Sequence, residues 1–138
     1  MSSAKVSVLE KWSEFIRAGD REGMATVLAP DFVLYEDAGL PYGGVFRGVD
    51  GFLGMLANLQ ASWVDLKFEH LGFFDEPGGD SVAVHVRLTG RSPKTGEPME
   101  VLTSEVFKIR DGRVLEGRVW YWDTRRLSQA MLGRKAAS

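Results

Sequence analysis

The sequence predicts an α+β domain: three N-terminal helices packed on a strongly curved, mostly antiparallel sheet, a cone-shaped barrel with an internal pocket. Three observations predict it. Up to about Leu59 most apolar residues recur at helical spacing. From Leu66 onward, runs of β-branched and aromatic residues alternate at strand spacing. The gaps between those runs are short and carry turn residues, so neighbouring strands should pair as hairpins. At 138 residues the chain is expected to be a single domain, 1–138, with a frayed tail at about 134–138.

The elements follow in order. From about Lys5 to Ala18, the residues Val8, Leu9, Trp12, Phe15 and Ile16 form one amphipathic stripe. Ser2 or Ser3 can cap its start, and Gly19 can end it in a left-handed conformation. Asp20 caps a short second helix carrying Met24, Val27 and Leu28, which Ala29-Pro30 ends. Phe32 to Asp37 reads as extended. The glycine-rich run Gly39 to Gly48 reads as a long loop, either a lid over the pocket mouth or a plain connection. A third helix follows Asp50, with Phe52, Leu53, Leu56 and Leu59 on one side. Strands are expected at Leu66–Phe74, Ser81–Thr89, Met99–Ile109 and Val114–Trp122. The turns between them contain Pro77-Gly78-Gly79-Asp80, Pro93-Lys94-Thr95-Gly96 and Asp111-Gly112. A last short helix, about Thr124 to Leu132, sets Leu127 and Met131 four apart.

Composition narrows the function. Lys and Arg number 17 against 19 Asp and Glu, a net charge of −2, which argues against a nucleic-acid binder. The absence of cysteine excludes disulfides, thiol catalysis and thiolate-held metals, and two histidines, His70 and His85, cannot build a His-rich site. No metal and no cofactor are therefore expected. No apolar run reaches the roughly 18 residues of a membrane span, and the N-terminus lacks an apolar signal core. A cytoplasmic protein is expected.

Several side chains carry chemistry in unusual surroundings. Glu36 follows Phe32 and Leu34 on one alternation, so it is either a pocket carboxylate or a strand-end charge in water. Glu105 shares a strand face with Val101, Phe107 and Ile109, where a carboxyl group needs either a pocket role or a cationic partner. Trp12 lies in the helical stripe as a core residue or as an N–H donor to a ligand. Asp123 precedes the last helix, as its N-cap or as a site residue. Phe32, Phe107 and Tyr121 are expected to line the pocket, with Tyr42 offering a hydroxyl from the loop. In Val82 to Leu88, His85 and Arg87 lie opposite the valines, so a one-residue slip in register decides whether they meet the pocket. The row Glu116, Arg118, Trp120 and Trp122 mixes charge with large aromatics, which suggests a homodimer interface.

Several strings resemble the nuclear transport factor 2-like superfamily, and within it the SnoaL-like polyketide cyclases and ketosteroid isomerases. They are Lys11 to Asp20 with its Ala-Gly-Asp break, Leu28 to Asp37, Phe46-Arg47-Gly48, Phe107 to Val114 and the Trp122-Asp123 pair. The resemblance spans about Val6 to Leu132. It implies a general acid–base enzyme, without cofactor, acting on a hydrophobic carbonyl compound by isomerisation, aldol-type cyclisation or a related enolisation. It implies Glu36 as the base and Glu105 as a protonated acid facing the developing oxyanion. Trp12 stands where the isomerases have a tyrosine donor, and Asp123 stands near an acid/base aspartate of the cyclases. Two alternatives go with it: an epoxide hydrolase of the limonene-epoxide-hydrolase type, using Arg87 and Asp123, and a non-catalytic dimeric binding or scaffold domain.

Overall fold

The computed structural model describes residues 3–133, so the tail at 134–138 and the alternative cap Ser2 lie outside the described residues. The described elements are α1 (Ala4–Ala18), α2 (Arg21–Val27), β1 (Leu28–Glu36), β2 (Gly44–Arg47), α3 (Gly48–Ser62), β3 (Val64–Asp75), β4 (Ser81–Arg91), β5 (Pro98–Arg110), β6 (Arg113–Tyr121) and α4 (Thr124–Met131). Capping follows the residues. Ser3 accepts from the Val6 amide, Gly19 closes α1 at φ 65°, Asp20 accepts from the Gly23 amide and Asp123 from the Arg126 amide.

The strands form one sheet in the order β2-β1-β6-β5-β4-β3. All neighbours are antiparallel except β1 and β6, which run parallel and join the two ends of the chain. The sheet curves but stays open, with β2 and β3 as its edges, so the expected barrel does not close. Bulges in β3 near His70 and beside Ile109 in the β5–β6 ladder help to bend it. Helix α1 crosses the concave face over β3, β5 and β6, and α3 lies beside it over β1, β2 and β3. The core fills the layer between, with Trp12, Phe32, Phe52, Val82, Val84, Val86 and Phe107 buried.

Three boundaries differ from the sequence reading. The chain turns extended at Leu28 rather than Phe32, and Pro30 sits where the β1–β6 register shifts, a place that needs no ladder N–H. The glycine-rich loop contains a strand, β2, whose short length hid it. Helix α3 begins at Gly48, directly from β2, rather than after Asp50. The loop packs into the fold as a connection. Leu40 and Tyr42 are buried, the Gly43 amide donates to the Leu40 carbonyl, and Thr124 donates to Asp37, tying the loop to α4. A Cβ on Gly43 would lie 1.9 Å from the Asp37 carbonyl oxygen, so the chain folds back on itself as only glycine allows.

Register settles the faces of β4. Val82, Val84, Val86 and Leu88 are buried, so His85 and Arg87 lie on the outer face. There Arg87 pairs with Glu69 and Glu100. Among the described residues no helix is long and apolar enough to cross a membrane.

Candidate active site

A cavity of about 430 Å³ opens between α1, α3 and the concave face of the sheet. Its volume falls in the range of small-molecule sites, roughly 300–1,000 Å³. Most of its lining is apolar, including Leu9, Leu34, Phe52, Val84 and Val119. Glu36, Glu105, Trp12, Phe107 and Tyr121 all line it. The sheet brings the two carboxyls together: Glu105 stands opposite Val119 on β6, and β6 pairs with β1, which ends in Glu36. Residues distant in sequence thus share one concave row.

Burial dominates the electrostatics of both acids. It pushes Glu36 up to about 8, with repulsion from a charged Glu105 adding to the rise. The Tyr121 hydroxyl and the Asp37 amide oppose that rise. Burial pushes Glu105 up to about 7, offset in part by the Thr103 hydroxyl, which donates to its Oε2 at 3.2 Å. The high value of Glu36 thus includes a charge on Glu105. With Glu105 protonated that repulsion is absent and Glu36 ionises at lower pH. The two acids interact, so their ionisations belong to the pair, and a singly protonated pair holds one charge and one proton between Glu36 and Glu105. One site then offers a carboxylate and a carboxylic acid near neutral pH.

Trp12 completes the constellation. Its ring packs between Phe32, Phe52 and Phe107 at centroid distances of 5.6, 5.0 and 5.5 Å. Its Nε1 is buried and has no hydrogen-bond partner, as is Oε1 of Glu36. An orphaned buried donor costs roughly 1–3 kcal/mol, which an acceptor on a ligand would recover.

Two expected lining residues stand one layer back. Phe32 is fully buried behind Trp12 and does not line the cavity. Tyr42, also fully buried, accepts a hydrogen bond at 3.5 Å from Nε1 of Trp63 and packs on Tyr121, with ring centroids 6.2 Å apart. It therefore supports Tyr121, which in turn faces Glu36. Burial pushes the Tyr42 hydroxyl up to about 12 and Tyr121 higher still, so both remain neutral donors.

Asp123 lies outside the cavity. It caps α4 and borders a separate groove between α4 and the start of β5. With Arg87 on the outer face, neither residue of the epoxide-hydrolase alternative reaches the carboxyl pair. Among the lining residues that the sequence reading did not single out as site residues are Ser13 and Arg17 on α1, and Phe68 and His70 on β3. Ser13 and Arg17 lie one and five residues past Trp12, at the edge of its helical stripe, and Phe68 and His70 continue the alternation from Leu66. Those spacings were the available signal.

A helix-covered concave sheet holding a small cavity with paired acids defines the class of fold as α+β with a candidate small-molecule site. The sequence model of the SnoaL-like domain matches residues 9–117, and the chain belongs to that family. Among solved structures, an NTF2-like protein from Burkholderia thailandensis E264 is similar over 95% of this chain and 98% of its own, with 23% identity and a TM-score of 0.80. A proposed SnoaL-like polyketide cyclase from Jannaschia sp. CCS1 is 20% identical over 96% of this chain and 94% of its own, TM-score 0.78. IdmH, a proposed polyketide cyclase from Streptomyces antibioticus, is 26% identical over 94% and 98%, TM-score 0.69. None of the curated proteins matches the sequence.

Proposed function

We propose that the protein is a general acid–base enzyme that enolises a hydrophobic carbonyl compound without a cofactor, in an isomerisation or an aldol-type ring closure. The observation that carries this reading is the pair of raised carboxyls, Glu36 and Glu105, in one apolar cavity beside the unpartnered Trp12 Nε1. Glu36, as carboxylate, removes the proton α to the carbonyl. The C–H electron pair moves into the new C=C bond and the carbonyl electrons onto oxygen. The Glu105 O–H and the Trp12 N–H donate to that oxygen as its charge grows. Return of the proton to another carbon gives an isomer, and attack of the enolate carbon on a second carbonyl closes a ring. The polyketide-cyclase neighbours support the same class of chemistry.

The test uses Glu36→Gln. Turnover of an enolisable ketone panel should fall about 10²–10⁴-fold, while affinity for planar phenols, which resemble the enolate, is kept or improved. An unchanged rate in this variant rejects the reading. The rate of the wild type should follow a narrow bell between the two ionisations of the pair, near pH 7–8.

A homodimer through the outer sheet face belongs to the same proposal. Val45 and Phe74 (on strands facing outward), Trp120 and Trp122 are exposed there or at its rim, Trp122 by 86%. They lie among the ion pairs of Arg87 and Arg118. Sedimentation should give twice the chain mass for wild type and a monomer for Trp120→Glu. A wild-type monomer removes this part.

A further inference from the structure

From the opposite side of the same cavity we infer a substrate class: a hydrophobic carbonyl compound that also carries a carboxylate, held by Arg17, His70 and Ser13 at the mouth. This rests on the enolising reading of the carboxyl pair and narrows what that pair acts on.

The polar groups of the cavity separate into two sets. Glu36 and Glu105 stand on β1 and β5. His70 stands on the edge strand β3, opposite the inward-facing Val86, and Ser13 and Arg17 overhang from the last turns of α1. In the sheet order β3 lies two strands from β5 and four from β1. Strand spacing then sets the two sets about 10 Å apart or more. Between them the lining is apolar: Leu34, Leu56, Leu66, Phe73 and Val84.

The mouth is accessible and positive. His70 and Arg17 are exposed, and Phe68 beside them is 51% exposed. Arg17 makes no ion pair among the described residues, unlike Arg21, Arg87, Arg91, Arg110 and Arg118. Partial burial of the ring, and then the positive charge of Arg17, hold His70 below its ordinary pKa, so the two side chains lie within electrostatic reach. Among the described residues the only acidic groups lining the cavity are Glu36 and Glu105, at the far side. An anion at the mouth meets a guanidinium, an imidazole and a hydroxyl donor. At the floor it would meet two acids. A substrate with one carboxylate and one enolisable carbonyl is therefore oriented by charge, acid outward and carbonyl inward. Arg17 presents the planar fork that suits a carboxylate.

The test uses two phenols of equal width and measures quenching of the protein's tryptophan fluorescence. One is 4-phenylphenol. The other, 4′-hydroxybiphenyl-4-carboxylate, adds a carboxylate at the far end, on the order of 10 Å from the phenol oxygen. Wild type should bind the carboxylate about tenfold more tightly, with the preference shrinking as salt rises. Arg17→Gln and His70→Gln together should abolish the preference, the carboxylate losing about tenfold more affinity than 4-phenylphenol. Equal affinity of wild type for the two phenols, or a preference that survives both substitutions, overturns the inference while the enolising reading stands. Failure of both phenols to bind overturns the two together.

Discussion

Replacing both cavity acids by their amides should make the protein more stable at alkaline pH than it is in its natural form. Glu36 rises from 4.5 to about 8 and Glu105 from 4.5 to about 7 on folding. A carboxyl raised in the native state binds its proton more tightly there than in the unfolded chain. The stabilising contribution is therefore fully present below about pH 4.5 and is lost as pH climbs through the folded values. At 1.36 kcal/mol per pH unit, the rise at Glu36 alone corresponds to at most about 5 kcal/mol. The carboxyl faces a cavity and keeps part of its hydration, so about 2–3 kcal/mol for the pair is the expected loss between pH 5 and 8.5. Glu36→Gln/Glu105→Gln cannot titrate and should lose none of it. For a chain of this length that difference shifts the melting temperature by roughly 6–12 °C. The assay is thermal and urea unfolding at pH 5, 6, 7, 8 and 8.5, followed by tryptophan fluorescence, on both proteins. His70 titrates in the same window with the opposite sign, because its folded pKa is lowered. It is present in both proteins and cancels in their difference. Parallel stability curves for wild type and double variant across this range would refute the argument that the carboxyls are desolvated by folding.

Three further outcomes are expected. Trp12→Phe keeps the aromatic packing but removes Nε1, so phenol affinity should fall about tenfold with little change in melting temperature. Fluorescence from the remaining tryptophans, or calorimetry, reads it. Tyr42→Phe strips the hydroxyl that Trp63 donates to and loosens the support of Tyr121. It should cost about 1–2 kcal/mol in urea unfolding and move the pH–rate bell to lower pH, as Tyr121 no longer shares its proton with Tyr42 and donates to Glu36 alone. Asp123→Ala removes the cap of α4 and should cost about 1 kcal/mol while leaving turnover unchanged. A large loss of rate would return Asp123 to the chemistry.

The regular elements were readable because their residues report local geometry. Leu9 and Trp12 recur on one helical face, and Val82, Val84 and Val86 alternate with polar neighbours, so both patterns survive without tertiary knowledge. Strand β2 escaped because four residues among glycines carry too little pattern. The site was legible to the extent that Glu36 and Glu105 sit in apolar rows, where a charge is conspicuous. Depth was not legible. Phe32 and Glu36 share a face of β1, yet α1 lays Trp12 over Phe32 and leaves Glu36 at the cavity. Alternation gives the face, whereas the crossing of the helices decides which residues on that face meet a ligand. Arg17 and His70 belong to elements brought together by the fold, and no local pattern joins them.

The parallel seam between β1 and β6 has a temporal meaning. Arg113, at the start of β6, reaches back to the Leu28 carbonyl across 85 positions of chain. Glu36 leaves the ribosome long before its neighbour strand exists; at roughly 5–20 residues per second the wait is about 4–16 s. Throughout that interval its carboxyl is an ordinary solvated acid. Its altered acidity is acquired only when the seam closes, which makes this one titration a clock for the completion of folding.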